Sequence, residues 1–201
     1  MDRLEQKICP KYVQSHGLLI QGIVDLLPHR HIAWPKLARL PNGKVALIYF
    51  GGHAHGGRKG VYVRISSDEG KTFGPAELLW WGQYPHHRVA NGALGVTEDG
   101  KIVVLAMAVG GVSPNMTSEI HGFVSEDNGV KWRAADTSRL SGTVRSVFGR
   151  ILEVPGRGLL ATGFNTTGSK GMDQTVLWAA WSEDGGYTWG EPHLVTPGVS
   201  R

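Results

Sequence analysis

The stretch Ser66-Ser-Asp-Glu-Gly-Lys-Thr-Phe73 recurs twice along the chain. The second copy is Ser125-Glu-Asp-Asn-Gly-Val-Lys-Trp132, and the third is Ser182-Glu-Asp-Gly-Gly-Tyr-Thr-Trp189. Each copy places an Asp two residues before a Gly and ends on an aromatic residue. In such a turn the carboxylate accepts backbone N–H bonds, and glycine supplies a positive φ angle. The predicted structural residues of the three turns are Asp68, Gly70, Asp127, Gly129, Asp184 and Gly186.

A second kind of turn precedes each of these stretches. It contains Gly43, Gly100 or Gly158, 25 to 27 residues before the Asp of the following copy, with an apolar run on either side. An apolar run, a polar turn with glycine and a second apolar run are typical of a β-hairpin. Each repeat therefore contains two hairpins, or four strands, and successive Asp residues are 59 and 57 residues apart.

Because a four-stranded sheet cannot bury both faces alone, the repeats must stack on one another. The sequence predicts an all-β fold, a partial β-propeller of three four-stranded antiparallel blades in a single domain. The predicted segments are an N-terminal extension or outer strand at 1–31 and blades at 32–79, 89–137 and 144–195, within a domain of 1–201.

Charge and composition narrow the classes of partner. The formal net charge is +4 and the sequence pI about 9.3, without a basic run interleaved with aromatic residues. This pattern favours small anionic ligands over nucleic acid. The apolar stretch 17–27 is broken by Gln21 and Asp25 and is too short to span a bilayer. We therefore expect no membrane segment. No signal peptide is visible, so we expect a cytoplasmic location by default and secretion if a leader was removed.

At its repeated turns the sequence resembles the sialidase (neuraminidase) superfamily with BNR or Asp-box repeats. The resemblance implies a six-bladed propeller, of which this chain supplies half, and an activity that cleaves terminal sialic acid from glycans. It also implies a ligand site at the central axis, on the face opposite the Asp boxes. We expect either a fragment, a ring closed by a second copy in a homodimer, or an open half-ring.

Two positions depart from the pattern that the resemblance implies. Aligned on Pro35, the substrate-gripping Arg of the family's Arg-Ile-Pro motif falls on Ala33. The acid/base Asp falls on Phe50. The family's remaining catalytic residues lie mostly in later blades, so a retaining mechanism is not expected from these three blades alone.

Cationic residues recur shortly before the inner strands. Arg30, Arg88 and Arg145 are about one blade apart, and His31 and His87 are next to two of them. Since inner strands begin around the axis of a propeller, we predict that these five residues form a pocket for a carboxylate or sulfate. The alternative is a set of solvated loop residues on a basic protein.

The sequence offers four candidate acid/base residues, two histidines and two acidic residues. His53 and His55 alternate as a strand-end pair would, and paired imidazoles hold Zn²⁺ or transfer protons. No Cys or acidic residue near them completes a ligand set, so we expect neither a metal nor a cofactor. Glu119 and Asp173 are predicted to precede the third strands of blades 2 and 3 and to serve as carboxylates for glycoside hydrolysis. The alternatives are hydrogen-bonded loop histidines and ordinary turn acids.

Three functional hypotheses remain open from the sequence. The first is a sialidase-like, glycan-recognising propeller, with exo-sialidase hydrolase activity if further blades complete it. The second is a non-catalytic module that binds glycans or assembles with a partner, which the residues at Ala33 and Phe50 favour. The third is a propeller polysaccharide lyase that uses His and Arg on acidic sugars. All three have a carbohydrate, favoured as anionic, as the partner.

Overall fold

The computed structural model describes residues 31–52, 54, 57–111, 115–141, 146–167 and 174–195. Every regular element within these ranges is a β-strand, and the fourteen strands form three sheets. The predicted all-β class and partial propeller of three sheets are confirmed, and all strand pairs within these ranges but one are antiparallel. Over the same ranges, no helix is present that is long and apolar enough to cross a membrane.

The first sheet is an antiparallel meander of four strands in the order β1-β2-β3-β4. The β1–β2 turn contains Gly43 at φ 85°. A positive φ is readily adopted only by glycine, which explains why the chain reverses there. The strands are β1 (His31–Arg39), β2 (Val45–Gly52), β3 (Lys59–Ser66) and β4 (Glu77–Trp81).

The second sheet repeats this meander and lies between the other two. Strand β6 is apolar along its whole length and every one of its residues is buried. A continuous apolar run is expected for a strand that is covered on both faces. The strands are β5 (Arg88–Val96), β6 (Ile102–Gly110), β7 (Thr117–Ser125) and β8 (Arg133–Ala135).

The third sheet departs from the regular repeat, because its inner strand is divided. Strands β9 (Ser146–Val147) and β11 (Leu152–Val154) both pair with β12, whereas β10 (Gly149–Arg150) pairs in parallel with β5 of the second sheet. Gly149 has φ 96° and allows the chain to cross to its neighbour at this point. The remaining strands are β12 (Gly158–Thr167), β13 (Gln174–Ser182) and β14 (His193–Leu194).

Apolar side chains fill the two spaces between the sheets. Phe50, Ile48 and Val104 belong to the cluster between the first and second sheets, and Leu105 and Trp178 to the one between the second and third. Burial of this apolar surface is the main stabilising contribution to the stack.

The three repeated Asp turns have nearly the same hydrogen bonds. Asp68 Oδ1 accepts the Thr72 N–H at 2.8 Å, and its Oδ2 accepts the Thr72 hydroxyl at 2.6 Å. Asp184 makes the same two contacts with Thr188, at 2.9 and 2.7 Å. Asp127 accepts only backbone N–H groups and a serine hydroxyl. Hydrogen bonds to the ionised form lower the pKa of Asp68 to about 2, with the Thr72 hydroxyl as the largest cause.

The Asp turns follow the ends of β3, β7 and β13. At the opposite end of the stack β1, β3, β5 and β7 begin, and β2, β4 and β6 end. We call this end the rim. It is the end at which the sequence predicts a ligand site, and the candidate residues below are described from it.

Candidate functional site at the rim

The sequence-predicted site residues fall into two groups. His31, His87, Arg88 and Glu119 are described by the structure, and all four lie at or near the rim. The others lie outside the described residues and remain predictions: Arg30, His53, His55, Arg145 and Asp173.

Lys59 is a rim residue that the sequence analysis did not single out. It begins β3, and its side chain is fully buried. Its Nζ lies 4.9 Å from the centroid of the Trp34 ring, in a cation–π arrangement. Burial lowers the pKa of Lys59, and the nearby positive charge of Arg88 lowers it further. A lysine that begins an otherwise apolar strand has no motif to mark it.

A β-bulge in the inner strand turns Trp34 toward Lys59. The β1–β2 register shifts between Ala33 and Lys36, and Trp34 has φ 53°. A bulky side chain rarely adopts a positive φ, so the surrounding contacts must hold this conformation in place. The Trp34 ring also contacts His31, with ring centroids 5.9 Å apart. The bulge thus places two aromatic rings and an ammonium group beside one another.

Phe50, which the resemblance aligns with an acid/base aspartate, is fully buried between the first two sheets. Its ring meets Trp34 edge-on with centroids 6.3 Å apart. A Cβ at Gly92 would lie 2.7 Å from Phe50 Cζ, so glycine leaves room for this ring. Ala33 pairs with Phe50 across the sheet. Neither position supplies a polar group to the rim.

Arg88 and His87 lie where β5 begins. The Arg88 Nη2 donates a hydrogen bond to the Gly111 carbonyl. His87 turns back on its own loop, with Nδ1 3.2 Å from the Pro85 carbonyl oxygen and its ring stacked on Tyr84. Two described members of the predicted pocket lie beside Lys59: the His87 carbonyl accepts the Lys59 N–H at 3.2 Å, and the charge of Arg88 lowers the Lys59 pKa. A third, His31, contacts Trp34.

Glu119 was expected to precede the third strand of blade 2, and this expectation was wrong. It lies within β7, because that strand begins at Thr117, where it pairs with Gly110 at the end of the long β6. Glu119 Oε1 is 3.1 Å from His86 Nδ1, and Oε2 is 3.4 Å from His121 Nε2. Its carboxylate therefore bridges two imidazoles from different parts of the chain.

His121 joins this carboxylate to the first sheet. Its ring stacks on Trp80 of β4 with centroids 4.0 Å apart and planes 26° apart. Burial lowers the pKa of His121 more than the neighbouring Glu119 raises it. A histidine with a lowered pKa is neutral at pH 7. His121 was not a candidate from the sequence, since it occupies an ordinary strand position.

His86 has a second contact, 2.9 Å from its Nε2 to the Thr117 hydroxyl oxygen. Thr117, His86 and Glu119 thus place a hydroxyl, an imidazole and a carboxylate in series. Beside Thr117 an apolar cleft of about 210 Å³ opens between the second and third sheets. Its lining is Ala90, Asn91, Met107, Val109, Met116, Thr117, Ser118, Ser146 and Phe164.

The described residues include a further cleft away from the rim but no cluster of metal ligands. A larger cleft of about 640 Å³, lined in part by Glu98, Glu153 and Arg157, lies at the opposite end. No group of three or more His, Cys, Asp or Glu side chains suited to a metal occurs among residues that the structure describes.

Comparisons with known proteins establish the fold. No family model and no curated protein sequence matches the chain. Among solved structures, the Hadza microbial sialidase Hz136 superposes with a TM-score of 0.65 at 18% identity, over 83% of this chain and 38% of that one. A thermostable family-43 glycoside hydrolase superposes with a TM-score of 0.54 at 14% identity, over 85% of this chain and 59% of that one. The chain thus shares a propeller-type fold with both and spans less than two thirds of the length of either.

Proposed function

We propose that this protein recognises an anionic glycan at the rim of its first two sheets. The observation that carries the proposal is that two cations meet where β3 and β5 begin. The Lys59 N–H donates to the His87 carbonyl at 3.2 Å, directly beside Arg88, whose positive charge adds to the effect of burial in lowering the Lys59 pKa. Two neighbouring cations repel each other, and a bound carboxylate relieves this repulsion. Because Lys59 is also buried, its attraction for an anion is screened little by water.

The nature of the ligand is argued from the fold and the side chains together. The fold is shared with a sialidase and a glycoside hydrolase, which supports a carbohydrate ligand. Trp34 and His31 place aromatic surface beside the cations, as expected for a site that takes an amphipathic ring. Arg30, His31, His87 and Arg145 remain proposed members of the site.

Hydrolysis is a separate matter from recognition. Ala33 and the buried Phe50 supply neither a carboxylate-gripping guanidinium nor an acid. We therefore favour recognition without cleavage by these three sheets. Exo-sialidase activity would require further blades or a second copy. An assay of aryl sialoside cleavage distinguishes recognition alone from hydrolysis. The solution mass, determined in parallel, shows whether a second copy is present.

Isothermal titration with sialic acid and galacturonic acid, and with lactose as a neutral sugar, tests recognition. We expect Arg88→Gln to weaken binding of the acidic sugars by about tenfold or more, because a charge-assisted contact is lost. Arg157→Gln is the matched control. That guanidinium lies 3.9 Å from the Trp181 ring centroid in the β11–β12 turn, away from the rim. Equal affinity for acidic and neutral sugars, or an Arg88→Gln variant that binds as wild type, would refute the proposal.

A lyase acting on acidic polysaccharides is the second candidate, favoured by the imidazole of His86 that Glu119 holds near the cationic residues. Such an enzyme abstracts the proton next to the uronate carboxylate, the bond to the glycosidic oxygen at the neighbouring carbon breaks, and a carbon–carbon double bond forms between the two carbons. The test is a rise in ultraviolet absorbance when the protein is mixed with a uronate polymer, and this rise should be lost in His86→Gln.

A further inference from the structure

We propose that Thr117, His86 and Glu119 form a nucleophilic site that cleaves small acyl esters. The three groups stand in series, with Thr117 Oγ1 2.9 Å from His86 Nε2 and His86 Nδ1 3.1 Å from Glu119 Oε1. A hydroxyl next to a base, with the base oriented by a third group, is the general signature of an activated nucleophile. The inference does not depend on glycan recognition.

The contacts assign one tautomer to His86. Glu119 accepts a hydrogen bond from Nδ1–H, so Nε2 carries the lone pair and accepts the Thr117 hydroxyl proton. Only 15% of the His86 side chain is exposed. The ring also lies against Gly110, where a Cβ would come within 2.9 Å of His86 Cδ2. These contacts hold the imidazole in line with both partners.

The carboxylate is positioned in its turn by the first sheet. Thr117, Glu119 and His121 are alternate residues of β7 and share one face of the strand. His121 Nε2 lies 3.4 Å from the second carboxylate oxygen, and the His121 ring stacks on Trp80. Four contacts therefore connect Trp80 to the Thr117 hydroxyl, from a half-buried indole to an exposed residue.

Thr117 contacts His86 on the face of β7 that it shares with Glu119. Because Thr117 begins the strand at the rim, it also borders the apolar cleft on the other face, and this cleft indicates the substrate class. Its volume is about 210 Å³, and Met107, Met116 and Phe164 contribute to its lining. This space fits a short acyl chain rather than a sugar ring with its many hydroxyls.

The chemistry balances with these groups and water alone. The Thr117 oxygen attacks the ester carbonyl carbon while His86 Nε2 takes the hydroxyl proton. The tetrahedral intermediate then breaks its bond to the alcohol oxygen, which leaves with the proton from His86. Water, deprotonated by His86, next attacks the acyl-threonine and releases the carboxylic acid and the free hydroxyl. Glu119 stays ionised and stabilises the imidazolium at each step.

The test uses the full chain and p-nitrophenyl acetate, with p-nitrophenyl butyrate as the longer substrate. We expect turnover in the wild type, and a loss of about 100-fold or more in Thr117→Val and His86→Gln. Thr117→Ser keeps the nucleophile and is expected to retain activity. Intact-mass measurement after brief exposure to the ester should show one acyl adduct in the wild type and none in Thr117→Val.

Two controls separate chemistry from folding. Thr162→Val and His193→Gln remove the same groups from strands β12 and β14 and are expected to react as the wild type. Melting temperatures show whether each variant is folded. A wild type that hydrolyses neither ester above the rate of Thr117→Val overturns the proposal, and so does an acyl adduct found on another residue. Thr117→Val leaves the rim cations in place, so this variant separates ester hydrolysis from the glycan proposals. Glycan binding and lyase activity are measured in their own assays.

Discussion

The Lys59 ammonium lies 4.9 Å from the centroid of the Trp34 ring, so a cation that begins the third strand packs on an aromatic ring from the bulge of the first. Both side chains belong to the rim of the first sheet. The contact explains how a fully buried lysine is accommodated there. It also places the charge of the Lys59 ammonium close to that of Arg88.

The buried Lys59 should make stability depend on alkaline pH. Its pKa is lowered from 10.5 in the folded state, so the cost of burying the charged form applies in full below the folded pKa. As pH rises through the folded pKa, the folded protein loses the proton before the unfolded chain does, and the free energy of unfolding rises. We expect the wild type to gain stability relative to Lys59→Met over this range, measured by urea unfolding at several pH values.

Lys59→Arg is the control for this prediction, because a guanidinium stays charged throughout the range. It is expected to show no such gain. A wild-type minus Lys59→Met difference that stays constant with pH would contradict the inferred burial of a charged lysine.

Introducing an acid at position 50, where the resemblance aligns an aspartate, should damage the fold rather than create an active site. Phe50 is fully buried against Trp34, so Phe50→Asp places a carboxylate in an apolar core. We expect a loss of several kcal/mol, and a loss of about 3–5 kcal/mol for Phe50→Ala. Urea unfolding is the measurement. Phe148→Ala, at a ring that is 47% exposed, should cost clearly less than Phe50→Ala, and equal costs would argue against the core position of Phe50.

Asp68 should contribute stability that is lost in acid. Its pKa is about 2 in the folded state against 3.8 ordinarily, so the stabilisation is complete above 3.8 and disappears as pH falls through about 2. The difference in unfolding free energy between wild type and Asp68→Asn is expected to shrink over that interval. In Thr72→Val, which lacks the hydroxyl donor, NMR titration should find the Asp68 pKa shifted toward 3.8. An unchanged pKa would exclude this hydrogen bond as the main cause.

Gly163 should tolerate no side chain. A Cβ there would overlap the Ser146 carbonyl oxygen and the Trp178 ring. The same carbonyl accepts the Trp178 indole N–H at 3.0 Å, so the ring cannot move away without losing this bond. We expect Gly163→Ala to cost about 1–3 kcal/mol or more in thermal unfolding. Gly190→Ala, whose added Cβ would lie 3.5 Å from its nearest neighbour, is the control and should change stability by about 0.5 kcal/mol at most.

The sequence alone was sufficient for the fold class. Turn chemistry is local, since a glycine at positive φ and an Asp that bonds its own backbone act within a few residues. The period of those turns therefore predicted the number of sheets, their antiparallel strands and their stacking. The expectation that inner strands begin around the axis of a propeller placed His31, His87 and Arg88 at one end.

Only the tertiary structure decided which side chains meet at the rim. Lys59 reaches Trp34 because of a register shift in β1, and Glu119 meets His86 and His121 because β7 begins earlier than expected. The division of the third inner strand into β9, β10 and β11 depends on pairing with the neighbouring sheet. Such contacts join residues that are far apart in the chain, and their energies depend on packing and burial. Local sequence patterns do not specify packing or burial.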